Sequence, residues 1–212
     1  MQSGEWAGPP SLSELVRRAG RLGESGGRRL LGITGPPGAG KTTLAAALAD
    51  ALDAVIVPMD GFHLDNAELR RLNRLERKGA QDTFDAAGYV GLLRDLRTGA
   101  QVRAPAFDRA REETVPDAID VPRTAKLVIT EGNYLLLDDE RWGQVRGLLD
   151  EVWYVDDPRR VEWLVARHVG HGWDPAEAQA RATVGSDAVN ARVIAASRHR
   201  ADLLLDHGWL SG

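Results

Sequence analysis

The chain has 212 residues, of which 43% are hydrophobic and 27% charged, with a formal net charge of −4 and no cysteine. That length suits one well-buried domain and is short for two. The charge has no long block of one sign, which disfavours a nucleic-acid surface, and the missing cysteines exclude disulfides and thiolate metal sites and fit a reducing compartment.

No apolar run reaches the ~20 residues that a membrane-crossing helix needs, and the opening MQSGEWAGPP lacks a basic-then-apolar leader pattern. The expectation is a cytoplasmic protein with no membrane partner. Residues 1–10, rich in Gly, Pro and Ser, read as a flexible tail ahead of a single domain over 11–212. Leu12, Leu15, Val16, Ala19 and Leu22 then recur at helical spacing, with Ser11 or Ser13 as cap. RRLLGIT reads as a buried strand, KTTLAAALADAL as a helix dense in Ala and Leu, and AVIVP as a second strand. NAELRRLNRLERKG reads as a polar helix and DAAGYVGLLRDLRTG as another, capped by Asp85. The Pro-punctuated stretch 101–122 predicts a hairpin or an excursion at the sheet edge.

AKLVIT is a buried strand ending at Glu131-Gly132. DERWGQVRGLLD reads as a helix and EVWYVD as a strand. Pro158 opens a helix, two more come after it with Asp174 and Ser186 or Asp187 as caps, and ADLLLD closes the series. Strands alternating with helices predict an α/β fold, a mostly parallel sheet with helices on both faces. Trp142, Trp153 and Trp163 read as core residues.

Gly35-x-x-x-x-Gly40-Lys41-Thr42 lies between a predicted strand and a predicted helix, the context a phosphate-binding P-loop requires. Gly35, Pro36, Pro37, Gly38, Ala39 and Gly40 shape a loop whose N–H groups converge on phosphate, and the helix start adds its dipole. Lys41 brings charge to the β- and γ-phosphates, the Thr42 hydroxyl suits Mg²⁺, and Thr43 extends the site. The motif implies a nucleoside triphosphate with magnesium; ATP is the expected nucleotide, and the motif does not separate it from GTP. Ligands of parallel sheets sit beyond the strands' carboxyl ends. Asp60 follows the second strand there, suiting a general base or a water-mediated metal ligand, and Glu131 ends a Walker-B-like strand that suits Mg²⁺.

GITGPPGAGKTTLA, MDGFHLDN, RKGAQDTFD and EGNYLLLD together resemble the uridine kinase and bacterial pantothenate kinase group of P-loop kinases. Within it they are most similar to the nucleoside-kinase-like, or fructose transport system kinase-like, subgroup. The resemblance runs from about Leu30 to about Leu205. It implies a P-loop NTPase fold with a small β excursion and a helical lid over about 158–185. It also implies that Asp60 is the general base and that Glu131 belongs to the metal site. Thr83, Phe84 and Asp85 fall where relatives contact the acceptor, Phe62 and His63 are read as lining its pocket, and Arg109 is a candidate for holding an anionic or polyhydroxyl group of it. Arg159, Arg160 and Arg167 are candidate lid arginines, with Arg167 the leading catalytic choice beside Asp60 and Lys41. Asn190 and Arg192 are expected to border the adenine. Phe107 stands where uridine kinases have a tyrosine, and the histidine they carry a few residues on is absent, which weakens the case for uridine or cytidine.

The implied activity is transfer of the γ-phosphate of ATP, with Mg²⁺, to a hydroxyl of a nucleoside or sugar-like metabolite. A pantothenate-type acceptor is the alternative, and a nucleotide-operated ATPase or switch without acceptor is the reading from another class. Relatives often assemble as dimers or tetramers, so a homodimer is the expected assembly. His168 and His171 have no assigned role.

Overall fold

A computed structural model describes residues 10–24 and 26–206. The expected tail lies outside these residues, Pro10 excepted. The first helix, α1 (Leu12–Glu24), lays Leu15 and Ala19 on the sheet. β1 (Arg29–Thr34) leads through the Gly-rich loop into α2 (Lys41–Leu52). Next come β2 (Val55–Ile56), a 3₁₀ turn over Met59–Phe62, α3 (Asn66–Arg71), a 3₁₀ turn over Leu75–Arg77 and α4 (Ala86–Arg97). The hairpin β3 (Val102–Asp108) and β4 (Glu113–Val121) precedes β5 (Leu127–Gly132), α5 (Val145–Leu148) and β6 (Glu151–Val155). α6 (Arg160–Gly170), α7 (Pro175–Thr183), α8 (Ser186–Ala196) and β7 (Leu203–Leu205) complete the order.

The central sheet has the order β2-β5-β1-β6-β7, and every pairing in it is parallel. Strand alternation divides the core. Leu31, Ile33, Leu127, Ile129, Trp153 and Val155 face α1 and α2. Leu30, Val128, Val152 and Tyr154 face a second cluster built on Tyr89, Leu93, Trp142 and Ile194. Helices thus cover both faces, as the alternating sequence requires.

Several local expectations change. The expected polar helix over 66–79 stops at Arg71, and Asn73 takes a left-handed φ of 54°. The helix expected over 139–150 is only Val145–Leu148. The ladder of β2 is two residues long, although the Val57 amide still donates to the Ile129 carbonyl at 2.8 Å; Pro58, without an N–H, ends the pairing. The hairpin forms its own two-stranded sheet and does not extend the main one. Trp142 and Trp153 are fully buried, but Trp163 is half-buried and carries the Arg159 guanidinium on its ring at 4.8 Å.

One buried cation fixes the hairpin's base. Arg28 donates to the carbonyls of Ala125 and Leu96 (both 3.2 Å), Ala100 (2.8 Å) and Pro122 (2.8 Å). It thereby ties the end of α4 to both ends of the hairpin.

Candidate active site

Three neighbouring strands, β2, β5 and β1, deliver the chemistry to one edge of the sheet. The loop after β1 turns into α2 through Gly40, whose left-handed φ of 92° leaves the helix start with no side-chain cap. The first-turn N–H groups therefore stay available to an anion. At Gly38, with φ of 84°, a Cβ would lie 2.3 Å from the Arg160 carbonyl oxygen, so only glycine lets this loop pack against the start of α6. Lys41 donates to the carbonyls of Gly35 (2.8 Å) and Pro36 (3.1 Å). Burial pushes its pKa down to about 8, opposed by Glu131 and Asp60.

Glu131 is the penultimate residue of β5, and its Oε1 accepts from Thr42 Oγ1 at 3.1 Å. Its pKa is raised, first by burial and then by the facing Asp60 carboxylate. The Asp60 and Glu131 carboxylates and the Thr42 hydroxyl line the same cleft, and such oxygen donors fit a hard divalent cation, which keeps its own waters and phosphate oxygens.

The chain leaves β2 through Pro58 into the 3₁₀ turn that carries Asp60. The residues after Asp60 are tied to the loop before α4. Leu64 N donates to Thr83 O (3.0 Å) and Asp85 N to Phe62 O (2.8 Å), with a bridge between His63 and Phe84. The GFHL and TFD segments are thus two short antiparallel partners. His63 Nδ1 lies 2.7 Å from the Asp60 carbonyl oxygen, and its ring sits between Phe84 (4.1 Å) and Phe107 (4.5 Å). Burial holds its pKa below the ordinary histidine value. Thr114 Oγ1 donates to His63 O at 3.1 Å, which docks the hairpin onto the turn. From the hairpin's tip Arg109 reaches Asp60 Oδ2 at 3.0 Å.

These groups line one cleft of about 740 Å³. Pro37, Gly38, Lys41 and Thr42 supply the loop side, Asp60 and Glu131 the floor, and His63, Phe84, Phe107 and Arg109 the far wall. Gly35, Pro36, Ala39 and Gly40 form the loop behind, and Thr43 is exposed on α2. Of the three lid arginines named from sequence, only Arg167 lines the cleft. Arg159 instead pairs with Asp157 at 3.4 Å and Arg160 with Asp156 at 3.7 Å.

Besides Thr43, which does not line the cleft, two expected site residues are not brought there. Asp85 is exposed, and its side chain caps α4 by accepting from Gly88 N at 2.9 Å. Arg192 is exposed on α8, away from the cleft. Asn190 does reach the cleft but donates to Gly79 O at 3.1 Å, holding the 75–83 loop. Asp187 caps nothing; it lies 2.8 Å from His168 Nε2 and 3.4 Å from Arg181, joining α6, α7 and α8. Sequence reading gave no cleft role to Arg70, Trp173 or Arg181, which also line it. In the sequence Arg70 reads only as part of the polar helix over 66–79.

A model of the phosphoribulokinase/uridine kinase family matches residues 30–169. The chain belongs to that family. A Schizosaccharomyces pombe protein proposed by name as a uridine kinase is 39% identical, the match covering 74% of this chain and 71% of that one. A pantothenate kinase of Lactiplantibacillus plantarum is 28% identical over 83% of this chain and 67% of its own. The crystal structure of a proposed fructose transport system kinase from Silicibacter sp. TM1040 superposes with a TM-score of 0.84 at 38% identity, covering 92% of this chain and 98% of that chain. Family membership makes this an ATP-dependent phosphotransferase with an alcohol acceptor. Among the described residues no helix is long and apolar enough to cross a membrane.

Proposed function

We propose that this family member transfers the γ-phosphoryl of ATP to a hydroxyl of a nucleoside or sugar-like metabolite, with Asp60 as general base. The observation that carries the reading is the position of Asp60. It stands between the P-loop with Glu131 on one side and the ringed wall of His63, Phe84 and Phe107 on the other. A water-activating switch needs no such wall.

The acceptor oxygen forms a bond to the γ-phosphorus as the bond to the β,γ-bridging oxygen breaks. The hydroxyl proton goes to Asp60, and ADP leaves. Lys41 and Arg167 stabilise the charge on the phosphoryl oxygens. Thr42 and Glu131, with Asp60 through water, would hold Mg²⁺, which supplies neutralising charge to the phosphates. The α6–α7 pair serves as the lid over residues 158–185, excluding water from the transfer. A cytoplasmic setting and a homodimer complete the reading; light scattering on the purified protein tests the second.

The deciding measurement is ATP consumption with Mg²⁺ against nucleosides, aldoses, ketoses, sugar acids, sugar phosphates and pantothenate, for wild type and Asp60→Asn. The expected result is turnover with one acceptor, reduced on the order of 10²–10⁴-fold in the variant. ATP hydrolysis indifferent to every acceptor, and equal in Asp60→Asn, would return the protein to the switch class.

A further inference from the structure

Arg109 rests on the very group that the proposed chemistry needs free. Its guanidinium holds Asp60 Oδ2 at 3.0 Å, and the arginine side chain is 57% exposed against 29% for the aspartate. An ion pair so open to water is weak and readily exchanged. Arg109 also stands close enough to Arg167 to depress its pKa, second only to desolvation. Arg109 is thus held by an acid and repelled by a cation within the same cleft.

The surroundings of Arg109 point the same way. Lys78 donates to Asn66 Oδ1 (2.9 Å) and to Glu112 O (2.8 Å), so α3 and the hairpin tip are joined beside it. Arg70 lies four residues after Asn66, on the same face of α3. It lines the cleft, and its side chain has no ion pair or hydrogen bond among the described residues. Glu112 is engaged with Lys78 at 3.7 Å, and Glu76 is the other carboxylate on this side.

We infer that the acceptor carries an anionic group, a carboxylate or a phosphate, which draws Arg109 off Asp60 and binds it, with Arg70 as the second cation. The inference deepens the kinase reading and rests on it. A neutral acceptor gives Arg109 no charge to exchange for Asp60. An anionic one takes the guanidinium and leaves Asp60 Oδ2 to face the acceptor hydroxyl. Without acceptor the ion pair keeps Asp60 from a water, so Arg109 also restrains wasteful hydrolysis.

The test uses the full chain with Mg²⁺ and ATP and acceptors matched in carbon skeleton: a neutral polyol or sugar, its acid and its phosphate ester, beside neutral nucleosides. Wild type is compared with Arg109→Met, Arg109→Lys, Arg70→Met and the double variant Asp60→Asn/Arg109→Met. The best acceptor is expected to be an acid or a phosphate ester, its neutral counterpart at least about tenfold poorer. Arg109→Met should raise its KM roughly tenfold to a hundredfold, with Arg109→Lys recovering part. Arg109→Met should also hydrolyse ATP faster than wild type without acceptor, and the double variant should lose that gain. A merely structural role for Arg109 would not produce faster hydrolysis. A neutral best acceptor whose kcat/KM survives Arg109→Met overturns the inference and leaves the kinase reading intact. Should no acceptor be turned over, unchanged acceptor-free hydrolysis in Arg109→Met overturns it as well. Hydrolysis unaffected by Asp60→Asn would instead remove the kinase reading itself.

Discussion

Replacing Gly61 by alanine should uncouple acceptor turnover from nucleotide binding. Gly61 lies in the 3₁₀ turn between Asp60 and His63. Its backbone is not among those with a left-handed φ, so the sharp turn does not by itself require glycine. Close approach does. A Cβ would stand 2.4 Å from the Pro105 carbonyl oxygen and 2.8 Å from its carbon. Both are main-chain atoms, and no rotamer change relieves them. Ordinary contact begins at 3.4 Å, so the turn and the hairpin must separate by about 1 Å. The hairpin carries Phe107 and Arg109, and the turn carries Asp60 and His63, so the acceptor's two sides would come apart. Overpacking of this kind costs about 1–3 kcal/mol, or roughly 2–12 °C in Tm for a chain of this size. A displacement of ~1 Å at the reacting groups costs on the order of a hundredfold in rate. The P-loop is on the far side of β5, so nucleotide affinity should stay within about threefold. The assays are thermal unfolding, steady-state kinetics with the identified acceptor, and calorimetric titration with an ATP analogue. Wild-type kcat/KM and Tm in Gly61→Ala would refute the close-packing argument.

Individual contacts carry the other expectations. Asp85→Ala should lower stability by about 0.5–2 kcal/mol through loss of the α4 cap and leave acceptor KM unchanged; a raised KM would restore Asp85 to the acceptor site. Lys41 titrates near pH 8 in the free protein because burial disfavours its charge. A bound triphosphate favours that charge and raises the pKa, so nucleotide binding at pH 8–9 should take up protons and binding at pH 6.5 should not. Calorimetry in two buffers of different ionisation enthalpy reads this uptake, and Lys41→Met should abolish it. Equal heats in both buffers at pH 8.5 would contradict the buried-lysine assignment.

Local pattern was enough for the fold class and half of the site. The P-loop is legible because its glycines, lysine and threonine act within eight consecutive residues, between a strand and a helix that each declare themselves by periodicity. Glu131 is legible for the same reason: an apolar run must stop at the sheet's edge, and the acid stands at that stop. Asp60 could be nominated in this way, but only the strand order β2-β5-β1 puts it opposite Glu131.

The acceptor side depended on long-range packing. GFHL and TFD are about twenty residues apart, and only long-range backbone pairing makes them one wall and sets Phe84 inward. That same pairing leaves Asp85, one residue on, at a helix start facing solvent, because successive extended residues point to opposite sides. On α8 a shift of two residues turns Asn190 into the cleft and Arg192 out of it, a difference that helix phase fixes and composition does not. Arg109 lies 49 residues from Asp60 in sequence, and Asp187 lies 19 from His168. Neither pair has a periodic signature, since each depends on where a hairpin or a helix pair is docked. Residue order alone pointed to a phosphate loop and to acids at strand ends, because those signals lie among neighbours in the chain; only docking of the hairpin brought Arg109 to Asp60, because that contact spans two separately folded segments.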